Sequence, residues 1–385
     1  MVNIEPSNKK FIFALFLVHF SGDFFQSFVK PLLPVLATKF SLTLTQVGMI
    51  GGLSMLTAFF IQPVFGYLAD RHNPRFIALA GVVFGAICIP LVGIASGYGF
   101  ILIFIGIGSM GSAMFHPSAA GMVSLYTGRH AGLSMSLFGM GGTIAFAIGP
   151  VVLAWYVTLF GLERLPYFTL FGLLFIPILI TLLPIPQKTA VKEHTFFITL
   201  RESLGNVWKP IMIIWALAFT RALLEQATFT FIPMLFSAEG YSLMSIGTIV
   251  SLFTVGGSIS SLACGHLVDR FGFKPVYYFS FAFSTPSLYL FVHSADWLAY
   301  ALSFLSGFFI FGTLFPAVAL AQKVASKSRS LVSSLIMGLA MGTGGILMPF
   351  IGRLADNFGI RPVLSCIALI PFLMLVFVRY LPDPR

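Results

Sequence analysis

The chain has 385 residues, 58% of them hydrophobic and only 9% charged. A soluble protein carries about 25% charged residues, so this composition excludes a soluble globular domain and points to a polytopic membrane protein. The net charge of +10 is no nucleic-acid footprint, because the basic residues are scattered over short connections between apolar runs.

Apolar stretches long enough to cross a ~30 Å hydrocarbon layer occur near 11–37, 45–68, 75–96, 99–124, 131–159, 165–185, 210–237, 243–268, 275–293, 297–321, 330–352 and 361–381. Twelve spans are therefore expected. Alternating strands of about ten residues are absent, which excludes a β-barrel. The first run follows Lys9-Lys10 like a secretory signal, but no cleavage site of small residues follows, so it reads as an uncleaved first span.

Asp23 sits in the middle of that first span, roughly 18 Å along it at ~1.5 Å per residue. A carboxylate there costs several kcal/mol unless it is paired, protonated or wet. His19, Asp23, Gln26 and Lys30 follow one another at steps of four, three and four, which puts them on one helical face. His116 precedes Pro117 in the fourth span, and Gly149-Pro150 lies in the fifth. In the seventh span Arg221 and Glu225 are one turn apart, with Gln226 beside them.

Of the 22 Lys and Arg, sixteen fall on one side and four on the other when the N-terminus is placed inside, which satisfies the positive-inside rule and puts both termini in the cytoplasm. The longest polar connection, 186–208, separates an N-terminal block, 1–185, from a C-terminal block, 209–385. Its later part carries Phe196, Phe197, Leu200, Leu204 and Trp208 at helical spacing, which fits either a helix on the inner membrane surface or a loose linker. Cys88, Cys264 and Cys366 are far apart within apolar runs and read as small core residues.

The chain repeats itself at an offset of 199 residues: Pro34 with Pro233, Gly66 with Gly265, Asp70-Arg71 with Asp269-Arg270, Pro117 with Pro316 and Pro150 with Pro349. Six spans are thus duplicated as six in the same orientation, a parallel arrangement known in secondary transporters. The expected fold is an all-α membrane protein of two pseudo-symmetric six-helix bundles.

Two loops carry the family signal. One holds Gly66, Asp70, Arg71 and Arg75, the other Gly265, Asp269, Arg270 and Lys274. Both resemble the cytoplasmic G-x-L-x-D-R-x-G-R/K signature of the major facilitator superfamily. Asn73 stands where the first copy would have glycine, and Asn tolerates the left-handed conformation. The resemblance implies a gate that breaks during alternating access; tight turns with basic anchors are the plainer reading. A narrower likeness runs through Gly108-Ser109, Phe115-His116-Pro117, Gly128-Arg129-His130 and Gly149-Pro150, which resembles the fosmidomycin-resistance family of bacterial efflux proteins. Gly149-Pro150 also resembles part of the glycine-rich motif of proton antiporters, and Pro117, Gly149 and Pro150 are hinge candidates.

The resemblance implies that spans one and seven line a central cavity. Burial raises the pKa of a carboxyl group and a neighbouring cation lowers it, so Asp23, then Glu225, are the candidate proton carriers, with His19 able to share a proton with Asp23. Static helix contacts are the alternative for each. Lys30 and Arg221 are candidate anion-binding groups, with Gln26, Gln226 and His116 as further substrate contacts; Lys30 snorkelling outward and a packing role for His116 stay open. The expected function is export of a small drug-like or organic anionic solute across the bacterial inner membrane by a monomer coupled to protons. Import of an organic anion by proton symport is the alternative. No phosphate-binding loop of the G-x-x-x-x-G-K-[ST] kind, zinc-protease motif or intramembrane aspartate pair occurs, so neither ATP coupling, an enzyme, a cofactor nor a bound metal is expected.

Overall fold

The computed structural model describes residues 9–126, 131–183, 205–325, 332–333 and 335–382. Among these the regular structure is helical and no strand occurs. In chain order the α-helices are α1 (Lys9–Gln26), α2 (Val29–Phe40), α3 (Leu44–Met55), α4 (Gln62–Arg71), α5 (Pro74–Leu91), α6 (Tyr98–Tyr126), α7 (Ala131–Phe160), α8 (Phe168–Leu182), α9 (Trp208–Ala238), α10 (Leu243–Phe271), α11 (Phe273–Val292), α12 (Asp296–Phe311), α13 (Leu314–Val324), α14 (Ala340–Ile346), α15 (Met348–Phe358), α16 (Ile360–Ala368) and α17 (Ile370–Val378). Several join end to end, so that eleven stretches are long and apolar enough to span a membrane. The run expected near 275–293 is helical as α11 but is not among the eleven, because Lys274, three tyrosines, the hydroxyls of Ser280, Ser284, Thr285 and Ser287, and Pro286 dilute its apolar character.

The first span is two helices rather than one. Pro31 has no N–H, and its ring would meet the carbonyl of Ser27. The ladder accordingly loosens there: Phe28 N–H donates to Phe25 O over three residues (3.1 Å) before Leu32 N–H resumes the normal register onto Phe28 O (3.1 Å). Lys30, placed by spacing on the face of Asp23, thus lies beyond a break, on α2.

The chain divides into two compact units, Met1–Phe40 with Leu53–Val191, and Ser41–Gly52 with Lys192–Arg385. Inside each, helices approach closely where glycines remove side chains. In the first unit a Cβ on Gly81 would strike the Gly111 carbonyl, and one on Gly111 would strike the Gly81 carbonyl, so α5 and α6 cross backbone to backbone. In the second unit Gly256 and Gly307 press in the same way on the backbones of Phe304 and Phe253, bringing α10 onto α12. Leu15, Val18, Phe115 and Met122 fill the core of the first unit, and Phe231, Phe253 and Phe291 with Leu217 and Tyr277 that of the second. Large apolar side chains such as Phe76, Leu174, Leu262 and Leu373 are exposed, as expected of lipid-facing surface.

Two readings are corrected here. Cys88 is half-buried and Cys264 buried, but Cys366 is exposed, because α16 turns that position away from its core. Asn73 is not left-handed: it is extended (φ −76°, ψ 108°) and caps α5, its side chain accepting from Arg75 N–H with Pro74 at the first helical position. Of the connection 186–208 only 205–208 fall within the described residues; the surface helix expected over 195–208 lies almost wholly outside them.

The α5–α6 crossing sets the first test. Gly111→Leu is expected to destabilise the purified protein by about 1–3 kcal/mol through overpacking. Gly99→Leu on the same helix, where an added Cβ meets open space among the described residues, should leave the unfolding transition in detergent within about 0.5 kcal/mol of the parent.

Candidate functional site

Asp23 is packed by three helices of the first unit. His19 lies one turn before it on α1, with Nε2 3.1 Å from Asp23 Oδ2. His116 reaches in from α6, with Nε2 3.6 Å from the same oxygen. The two Nε2 atoms are 3.1 Å apart. α7 closes the group from the third side: a Cβ on Gly141 would strike the α1 backbone at Phe16, and one on Gly142 would fall onto His19 Nε2 and Asp23 Oδ2. Gly142 is therefore where a helix without a side chain lets the three groups meet. All three are shielded, with side chains 11%, 6% and 23% exposed for His19, Asp23 and His116.

The far sides of both rings are committed. His19 Nδ1–H donates to the carbonyl of Phe138 (2.8 Å). His116 Nδ1 lies 2.9 Å from the carbonyl of Ser112 and 3.0 Å from its hydroxyl, and donation to the carbonyl avoids setting two lone pairs face to face. A neutral imidazole carries one N–H, so both Nε2 atoms present lone pairs toward each other and toward a carboxylate oxygen. Such an arrangement is repulsive unless a cation sits among the three atoms, whether a proton or a metal ion. Asp23 Oδ1 is buried and finds no hydrogen-bond partner among the described residues.

Gln26 belongs to a different network. Its amide donates to Ser54 Oγ (2.7 Å) and Ser109 Oγ (3.0 Å), and Ser109 Oγ donates to Ser54 Oγ (3.0 Å), which ties α1 to α3 and α6. Ser27 Oγ donates to the Phe24 carbonyl (2.6 Å) beneath Gly149, whose absent side chain leaves room for that hydroxyl. Lys30 is buried on α2. Pro117 and Pro150 lie within α6 and α7, each of which stays helical through its proline.

The second unit holds a buried ion pair on α9. Arg221 is 1% exposed and its guanidinium donates to Glu225 one turn later. Arg221 Nη2 also lies 3.3 Å from the Met341 sulfur, and Phe311 stacks 6.0 Å from the guanidinium carbon. Arg221 Nε and the Tyr277 hydroxyl are buried donors without a partner among the described residues, and each would suit an anionic oxygen. Gln226 is buried beside the pair.

The paired loops are not alike in three dimensions. In the first, Arg75 donates to the Ile180 carbonyl and Arg71 lies over the Tyr67 ring at 4.4 Å; the Asp70 side chain lies outside the described set, as do Gly128, Arg129 and His130. In the second, Gly272 takes a positive φ of +86° to end α10, Arg270 lies 5.2 Å over Phe271, and Asp269 is exposed with Lys274 four residues after Arg270. The close helix approach expected at the leading glycines is modest: a Cβ on Gly66 would meet Pro117 at 3.6 Å, and at Gly265 it meets open space.

The spacing along α1 pairs His19 with Asp23 but does not bring His116 to them, since His116 is 93 residues from Asp23 and its approach depends on the α1–α6 crossing. Ser112, one turn before His116, and Gly142, inside the glycine run of span five, were visible but had no assigned role. Tyr277 carried no local signal.

The chain matches the sequence profile of the Major Facilitator Superfamily over residues 15–329 and again over 214–385. It is 26% identical over 381 residues to the fosmidomycin resistance protein of Escherichia coli (strain K12), covering 97% of this chain and 92% of that one. It is 28% identical over 372 residues to YfnC of Bacillus subtilis (strain 168), an uncharacterized MFS-type transporter, covering 93% and 89%. Its fold superposes with a TM-score of 0.81 on a bacterial homologue of the human lysosomal transporter Spinster, at 14% identity and with 98% and 97% of the two chains covered. The profile match over most of the length, together with the all-helical fold, establishes that the chain belongs to the major facilitator superfamily of membrane transporters.

Proposed function

We propose that this transporter exports a small drug-like or organic anionic solute against the inward proton gradient by alternating access, as a monomer in the bacterial inner membrane. Its twelve spans would form six-helix halves at 1–185 and 209–385 joined by a cytoplasmic connection at 186–208, with both termini in the cytoplasm. Export is favoured by the likeness to a relative named for fosmidomycin resistance.

The observation that carries the coupling is the sealed Arg221–Glu225 pair. Burying two charges offsets much of their attraction, which makes the pair a poor structural device and a good exchangeable one. Linkage sets the sign of coupling. A solute whose donor group engages Glu225 competes with the proton there, so that one expels the other: this is antiport, and it drives export. A solute whose anionic group takes Arg221 releases Glu225 to accept a proton, so that both bind together: this is symport, and it drives import. Arg221 Nε has no hydrogen-bond partner among the described residues, which supports import of an organic anion by symport as the alternative to export. Asp23, with His19 able to share its proton, is the proton-loading centre of the first unit, and His116 beside them is a further solute contact. Lys30, Gln26 and Gln226 are further solute contacts; Gly66, Asp70, Arg71 and Arg75 with Gly265, Asp269, Arg270 and Lys274 are the gating loops, and Pro117, Gly149 and Pro150 the hinges.

Solutes found by thermal shift from a panel of phosphonates and organic acids decide the direction. Accumulation in everted vesicles with an acid lumen marks export; depletion marks import. Glu225→Gln, neutral at every pH, is expected to lower pH-driven accumulation about hundredfold while solute exchange without a gradient persists. Parental uphill transport in that variant would remove Glu225 from the coupling step. Arg221→Ala removes the guanidinium from a buried carboxylate and should cost about 3–5 kcal/mol of stability, most of it regained in Arg221→Met combined with Glu225→Leu; unfolding in detergent measures both.

A further inference from the structure

We infer that His19, Asp23 and His116 form a binding site for a divalent transition-metal ion of the zinc or cobalt class. The site rests on geometry alone and stands or falls independently of the transport reading.

Three observations carry it. The first is the donor set. Two imidazole nitrogens and one carboxylate oxygen suit such ions, and among the described residues these are the three His, Cys, Asp or Glu side chains whose ligand atoms converge, all within 4.8 Å of one another. The second is the spacing. Metal–ligand bonds of ~2.1 Å in tetrahedral geometry put neighbouring ligand atoms about 3.4 Å apart. The three edges here are 3.1, 3.1 and 3.6 Å, so an ion fits with shifts of a few tenths of an ångström. The rings stand nearly perpendicular, planes at 84°, so their Nε2 atoms meet edge-on rather than stacking.

The third is the support behind the ligands. A metal-bound histidine gives its other N–H to a carbonyl or carboxylate, which fixes the tautomer and turns the lone pair to the metal. His19 does so through Phe138 O on α7, and His116 through Ser112 O on α6. Each ring is thereby held from a backbone that cannot rotate away. The ligands come from α1 and α6, and α7 supplies the third wall with the bare face of Gly142. Three protein ligands leave a fourth position for water or for a chelating oxygen of a solute.

The test uses the full-length chain purified in detergent and stripped with a chelator. Equilibrium dialysis against Zn2+ is expected to leave one ion per chain, and Co2+ should give the intense visible absorption of a tetrahedral ion in place of the faint spectrum of the hydrated one. His19→Asn, Asp23→Asn and His116→Asn should each weaken Zn2+ binding at least about tenfold, while His266→Asn, at an exposed histidine, leaves it unchanged. Gly142→Ala retains every ligand, and its methyl group falls where His19 Nε2 and Asp23 Oδ2 now meet; it should weaken binding as the ligand variants do. That variant and the Co2+ spectrum of the parent decide the matter even where a ligand variant fails to fold. Failure of the parent to retain Zn2+, a hydrated-type Co2+ spectrum, or undiminished binding in His116→Asn or Gly142→Ala overturns the site.

Discussion

A carboxylate sunk in the middle of an apolar helix bundle has to be met by other polar groups, and much of the first unit is organised around that demand at Asp23. One partner comes from its own helix at i−4, a second from α6 and a bare glycine face from α7. None of these can be displaced singly. The His19 ring is held from Phe138, the His116 ring from Ser112, and α1 itself is drawn against α6 by the Gln26–Ser54–Ser109 network. In a medium without water the cost of an unsatisfied polar atom is several kcal/mol, so the polar contacts constrain the helix register as strongly as the packing does.

The second unit meets the same demand in another way. Arg221 and Glu225 form an ion pair within a single turn of α9. What the neighbouring elements add is shape and polarisability: the Met341 sulfur, the Phe311 face and the Tyr277 hydroxyl. The sequence offset of 199 pairs Gln26 with Glu225, so a neutral tie in one unit and an ionisable pair in the other stand at matching sequence positions.

Glycine is the instrument that makes both centres possible. Gly81 with Gly111, and Gly256 and Gly307 in the other unit, let backbones touch where lipid offers no hydrophobic drive for association. The same residue type serves another end at Gly272, where a positive φ ends α10. At the corresponding turn of the first unit Asn73 and Pro74 start α5 by capping instead. Identical motif positions therefore carry different local physics, and the motif alone does not tell which.

The apolar spans, their helical nature, the repeat at an offset of 199 residues and the burial of Asp23, Arg221 and Glu225 can be read along the chain, because each is a local or periodic property: run length, charge and spacing along one helix. The Arg221–Glu225 pair was legible for that reason. The meeting of His116 with His19 and Asp23 was decided by tertiary structure, since it depends on the angle and register at which α6 and α7 cross α1. The break at Ser27–Phe28 that carries Lys30 onto a second helix and the outward turn of Cys366 were decided there as well. A helical period states which residues share a face; it does not state which other face that one will meet.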